Sequence, residues 1–181
     1  MTFIKDSFRY TNSYSYLKAL KSSLIHPGLR LTIVKRLCNC TSKKFIWGIF
    51  FRIWYNKLKV KYGFQIPYTT AIGYGLFLPH YGNIVVNSRA IIGNNCNISH
   101  GVTIGQTNRG KKSGVPKIGD RVWIGANSVI VGGITIGNDV MIAPLCFVNF
   151  DIPDNAVVVG NPSRIVSYKG SSGYINNFIN E

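Results

Sequence analysis

The chain has 181 residues, 46% of them hydrophobic, and a formal charge of +15. That length suits one domain, or one domain with a modest extension, and so apolar a composition excludes disorder as the default. No window reaches the ~18 consecutive apolar residues of a membrane-spanning helix, and the opening "MTFIKDSFRYTNSYSY" lacks a signal-peptide pattern, so a cytoplasmic location is expected.

The charge is concentrated at one end. Residues 1–62 hold thirteen Lys and Arg against Asp6 alone, about +12, while residues 63–181 hold eight against five acids, about +3. "SYSYLKALKSSLI" and "LRLTIVKRL" read as helices separated by the turn "HPG", which makes His26 a turn residue. Cys38 and Cys40 form a C-x-C pair, while Cys96 and Cys146 stand alone. No zinc-type spacing is present, and reduced, mostly packed thiols are expected.

Thr41 is placed to cap a third helix, "SKKFIWGIFFRIWYNKLKVKY", ended by Gly63. That helix is apolar nearly all round from Phe45 to Tyr55 and then carries Lys57, Lys59 and Lys61. Two readings stay open. The helix is buried against the remaining fold or a sister subunit, or residues 41–62 make a peripheral membrane contact at the inner face of the plasma membrane. Nucleic acid is not expected as a partner, because no base-reading motif accompanies the charge.

A six-residue period begins at Ile66 and runs through Ile72, Leu78 and Ile84. It slips by two residues, resumes at Ile92, Ile98 and Ile104, and runs unbroken from Ile118 through Ile124, Ile130, Ile136 and Ile142 to Val148. This spacing fits neither a helix nor simple alternation. It fits a short strand and a tight turn, three such units closing one coil of a β-helix. A second inward position four residues later must be small or slim, and it holds Cys96, Val102, Val122, Ser128, Ile134, Val140, Cys146 and Ile152. The predicted fold is therefore mainly β, a parallel β-helix of hexapeptide repeats preceded by a small α-helical region. The expected boundaries are 1–65 for the helices, 66–160 for the β-helix with an extruded loop at 106–117, and 161–181 for a C-terminal tail. A basic loop of that length on a stiff solenoid points to function.

Within the repeat, "LFLPHYGN" puts Pro79 where other units carry glycine or alanine, and then His80. Position alone leaves His80 as either a turn histidine or a base. His100 stands two residues after Ile98, as His80 stands two after Leu78, so the two imidazoles are expected on one face, one coil apart.

The stretches "GLFLPHYGNIVVNSRAIIGNNCNISHGVTIGQ", "PKIGDRVWIGANSVIVGGITIGNDV" and "DIPDNAVVVGNPSRIV" resemble the serine acetyltransferase branch of the hexapeptide-repeat acyltransferases, over about residues 66–168. The N-terminal "FRYT" and "HPGLR" are similar to members associated with surface polysaccharides. The resemblance implies a left-handed coil, a homotrimer, acetyl-coenzyme A as donor, a hydroxyl acceptor and no metal. It implies His80 as catalytic base, and the twenty-residue spacing makes His100 a candidate second catalytic group that orients it. It also implies coenzyme contacts at Gly125, Ala126 and Ala143 and in the "GNPSR" segment, Gly160, Asn161, Pro162 and Arg164. Lys111, Lys112 and Lys117, with Arg109, would face coenzyme phosphates or an anionic acceptor, or form a solvated basic loop.

Three departures from the pattern stand out. Pro79 replaces the aspartate before the catalytic histidine, Val115 replaces a second histidine before "PKIGD", and Phe150 replaces a lysine near the coenzyme. The first two argue against free serine, so the expected acceptor is a sugar hydroxyl of a surface polysaccharide or its lipid-linked precursor. Serine O-acetylation is the alternative, and a non-catalytic scaffold or membrane-binding module is another. A metal-dependent hydratase would need three convergent histidines, and the repeats hold two.

The chemistry explains why an imidazole would be needed. A neutral hydroxyl attacks a thioester slowly, and an imidazole with an ordinary pKa of ~6.5 accepts its proton at neutral pH. Backbone N–H groups at glycine turns are the natural donors to the oxyanion.

Overall fold

The six-residue spacing becomes three short strands per coil in the computed structural model, which describes residues 2–179. Four helices come first: α1 (Thr2–Thr11), α2 (Tyr16–Ile25), α3 (Pro27–Cys40) and α4 (Ile46–Tyr62). The repeats then supply β1 (Phe64–Gln65), β2 (Ala71–Ile72), β3 (Ile84–Val86), β4 (Ile91–Ile92), β5 (Asn97–Ile98), β6 (Thr103–Gly105) and β7 (Lys117–Ile118). They continue with β8 (Trp123–Ile124), β9 (Val129–Val131), β10 (Thr135–Ile136), β11 (Met141–Ile142), β12 (Phe147–Val148) and β13 (Val157–Val159), and β14 (Arg164–Ser167) closes the series.

The strands stack into three sheets that form the faces of a prism. The first sheet runs β1-β3-β6-β9-β12, the second β2-β4-β7-β10, and the third β5-β8-β11-β13-β14. All ladders are parallel except β13 with β14. This is the left-handed parallel β-helix of hexapeptide repeats. Trp123 lies opposite Met141 and Val129 opposite Phe147, so one coil is eighteen residues. The aliphatic positions Ile98, Ile124 and Ile142 are sealed inside, as are Ile104, Ile130 and Val148. Burying each such side chain contributes about 1.5–3 kcal/mol. Cys96 and Cys146 are core fillers, and burial pushes the Cys96 thiol up to about 12.

The slip in the period lies elsewhere than the spacing predicts. Phe64 pairs with Ile84 and Phe77 with Asn97, twenty residues on, whereas Val85 pairs with Thr103, eighteen on. The two extra residues therefore enter between Phe77 and Ile84, in the turn that carries His80, and not between Ile84 and Ile92. Val86, rather than Ile84, stacks on Ile104. Both side chains are aliphatic and both are buried, so spacing could not choose between them. The last coil is short by two: Ile152 stacks on Ile136 and Met141 on Val157, sixteen residues on.

The helices cap the open end of this prism. A first coil has carbonyls with no ladder partner, and such groups need donors. Tyr55 Oη donates to Ile66 O, and Lys35 Nζ donates to the carbonyls of Tyr68 and Thr70. Arg36 donates to Ile72 O and Gly73 O and forms a buried ion pair with Asp6. Arg9 donates to Gly75 O and to Asn97 Oδ1. Helix α1 lies outside the expected helices, and the residues it turns inward, Asp6, Ser7 and Arg9, are polar.

Thr41 does not cap α4. It ends α3 and donates its hydroxyl to Leu37 O, so α4 starts only at Ile46, with Phe45 before it. Gly63 ends α4 in the left-handed region, as its place in the sequence predicts. The C-terminal segment returns along the prism: Ser171 Oγ donates to Arg121 O, and Ile179 exchanges hydrogen bonds with the Asn95 side chain.

Candidate active site

His80 sits in the enlarged turn of Pro79, His80, Tyr81, Gly82 and Asn83, where the chain passes from the third sheet to the first. Two surplus residues push this turn outward, and His80 is exposed. His100 occupies the same corner one coil on. The two rings lie 5.5 Å apart, centroid to centroid, crossed at 84°. The turns are tied together, because Gly101 N donates to Gly82 O and Asn127 N to His100 O.

The same edge continues below the histidines. Gly125 and Ala126 follow Ile124 in the next coil, and Ala143 follows Ile142 in the one after. Leu145 N donates to Ala126 O. Gly160 and Asn161 follow β13 at the bottom of this edge, and Phe147 N points to Gly160 O. Thus His80, His100, Gly125, Ala126, Ala143 and the "GNP" turn form one column. Arg164 lies beyond it, exposed at the start of β14.

The lysines lie on another edge. The segment after β6 doubles back through an antiparallel bridge between Thr107 and Gly114. It is pinned where the first sheet meets the second: Gly133 N donates to Lys112 O, and the Lys112 ammonium pairs with Asp151. That hydrogen bond, together with one from Thr135 N, holds the Asp151 carboxyl below its ordinary value. Lys111 and Lys117 are exposed on the same side, and Val115 is half-buried there. One face of the prism separates this loop from the histidine column of the same chain.

What supports the His80 turn comes from the helices, and the sequence reading missed it. Tyr10 Oη accepts from Leu78 N at 2.9 Å and donates to Leu78 O at 3.4 Å, two residues before His80. Its ring packs on Phe77 and lies 5.5 Å from His26. Burial raises the Tyr10 phenol well above its ordinary pKa, so it stays protonated as a donor. Gly28 is needed because α3 passes so close that a Cβ there would lie 2.3 Å from Leu78 O. Beside Pro79 lies a cleft of about 330 Å³ lined by Arg9, Tyr10, His26, Asn97 and Tyr174. The signal for Tyr10 was a tyrosine in a polar segment, which no periodicity marks. Among the described residues no three His, Cys, Asp or Glu side chains converge in a way that could hold a metal ion.

Comparison with known proteins places this geometry. The bacterial transferase hexapeptide (six repeats) family matches residues 116–149. Serine acetyltransferase of Helicobacter pylori is 31% identical over 144 residues, covering 80% of this chain and 84% of that protein. The chain belongs to the hexapeptide-repeat acyltransferases. Other members of this family resemble it over less of their own length. The chloroplastic serine acetyltransferase 1 of Arabidopsis thaliana is 41% identical over 63% of this chain, which spans 36% of that protein. Soybean serine acetyltransferase superposes with a TM-score of 0.72 at 29% identity, covering 91% of this chain and 67% of that one. The Neisseria gonorrhoeae serine acetyltransferase solved with serine superposes with a TM-score of 0.67 at 30% identity, covering 91% and 66%.

These relatives correct the expected acceptor. The reading of a polysaccharide enzyme rested on "FRYT" and "HPGLR" and on Pro79 and Val115 in place of an aspartate and a histidine, and the relatives found are named serine acetyltransferases. The structure gives the physical reason the wording misled. Tyr10 of "FRYT" and Gly28 of "HPGLR" hold the backbone of Leu78, so those residues carry packing information and say nothing about the acceptor.

Proposed function

We propose that this chain transfers the acetyl group of acetyl-coenzyme A to the hydroxyl of serine, with His80 as general base. The observation that carries the reading is the column formed by exposed His80 and His100 above the glycine and alanine turns at Gly125, Ala126 and Ala143. The names of the relatives support the acceptor.

In this reading His80 removes the hydroxyl proton as the serine oxygen bonds to the thioester carbon. The tetrahedral intermediate collapses, the C–S bond breaks, and the proton returns to the departing thiolate of coenzyme A. O-Acetylserine and free coenzyme A leave, and no covalent enzyme intermediate is required. His100 fixes the plane of the His80 ring by its edge contact, the role an aspartate at position 79 would otherwise serve.

A homotrimer belongs to this reading for a geometric reason. Lys111, Lys112 and Lys117 lie on a different prism edge from His80, so they meet the coenzyme beside His80 only if they come from a neighbouring copy. A cyclic assembly brings unlike edges together. The deciding experiment is release of free thiol from acetyl-coenzyme A by the purified chain, with and without serine. Release that depends on serine and disappears in His80→Ala supports the proposal. Release equal with and without serine, or unchanged in the variant, overturns it.

A further inference from the structure

Helix α4 has two apolar faces, and only one of them is used. Gly48, Tyr55 and Leu58 are buried, with Phe51 and Tyr62 packed beside them. The opposite face should be polar in an ordinary surface helix. Here it presents Ile46, Ile49, Phe50, Ile53 and Val60 at helical spacing, with Ile46 72% and Val60 86% exposed. The apolar surface extends past α4. Trp54 and the α2 residue Leu20 line a common groove of about 340 Å³ over α3, and Leu17, Leu24 and Ile25 of α2 are also exposed.

Charge identifies the occupant. Lys57 lines a depression with Phe50, Ile53 and Trp54, and Lys57 and Lys61 line another with Ile53 and Val60. Lys43 and Lys44 stand before the helix, exposed. Among the described residues no ion pair engages these lysines, and the single acid of residues 1–62 is Asp6, buried in its pair with Arg36. An apolar strip edged by uncompensated lysines, whose stems lie along the apolar surface, is complementary to an anionic bilayer: hydrocarbon below and phosphate at the rim. It is poorly matched to a second copy of itself, where equal positive faces would meet.

We propose that the α2–α4 face is a docking surface for anionic lipid bilayers, with α4 lying in the plane of the interface. No described helix is long and apolar enough to cross a membrane, so the contact is peripheral. Docking also carries the site. Tyr62 at the end of α4 packs on Tyr81, the neighbour of His80, with ring centroids 5.8 Å apart.

The test is flotation of the full chain with vesicles of phosphatidylcholine alone and of roughly 3:1 phosphatidylcholine to phosphatidylglycerol. Binding is expected with the second and is expected to weaken as salt rises. An Ile46→Ser, Phe50→Ser, Ile53→Ser variant, altered only at exposed positions, should lose binding. Lys57→Gln with Lys61→Gln should lower partitioning on the order of tenfold. Circular dichroism and melting confirm that both variants fold. Failure of the wild type to float with anionic vesicles overturns the proposal, as does undiminished floating of the apolar variant. If nothing floats and the serine variant sediments as a smaller species than wild type, the face is an interface between copies and the proposal is rejected.

Discussion

His100 lies one coil along from His80, and the two imidazoles meet edge to face with centroids 5.5 Å apart. The contact arises because both residues stand two positions after an inward aliphatic, Leu78 and Ile98, whose neighbours Phe77 and Asn97 are ladder partners. Replacing His80 by alanine should lower kcat/KM by about 10²–10⁴, the usual cost of losing a general base. Its Tm should hardly move, because the side chain is exposed. For His100 the expectation differs. His100→Ala should lose about tenfold, and His100→Phe should recover most of that, since a ring edge is what the contact supplies. Equal activity of the alanine and phenylalanine variants would count against an orienting role.

The turn is also held from beneath, which makes Gly28 a remote determinant of rate. A Cβ at position 28 would lie 2.3 Å from Leu78 O and 2.7 Å from Leu78 Cβ, so Gly28→Ala must push α3 and the Leu78 segment apart. Overpacking of this kind costs about 1–3 kcal/mol. Both Tm and kcat should fall, because Leu78 lies two residues before His80. A drop in Tm with kcat intact would show that the turn holds its shape without α3.

Lys35 offers a pH test of the capping interface. Burial, reinforced by the neighbouring Arg36 charge, lowers the Lys35 pKa from 10.5 to about 8. Between those values the unfolded chain holds a proton that the native chain does not, so stability rises with pH across that window. The gain over the whole window is on the order of 3 kcal/mol. Comparing urea unfolding of wild type and Lys35→Met at pH values on either side of 8 isolates this group from other titrations. Wild type should gain on the variant as pH rises, and a constant difference would contradict the lowered pKa.

The loop lysines separate binding from stability. The Lys112–Asp151 pair is solvent-exposed, and such pairs contribute about 0–1 kcal/mol. Lys111→Ala with Lys112→Ala should therefore leave Tm nearly unchanged. In the proposed trimer it should raise the KM for acetyl-coenzyme A and flatten the dependence of that KM on salt, because screened phosphate contacts have been removed. An unaltered KM and salt profile would assign the loop to solvent.

Much of this molecule could be read directly from its spacing. A six-residue aliphatic period has one compact solution, so the prism, its inward cysteines and the alignment of His80 with His100 follow from local pattern alone. Where two aliphatics compete for one inward position, as Ile84 and Val86 do, pattern is ambiguous, and only ladder pairing showed that the surplus residues lie in the His80 turn. The clasp of Tyr10 on Leu78 and the approach of Gly28 to the same residue join positions 68 and 50 apart through backbone contacts that leave no periodic trace. The separation of the loop lysines from the histidine column was likewise decided in three dimensions, because a coil that turns through three faces puts segments close in sequence on different edges.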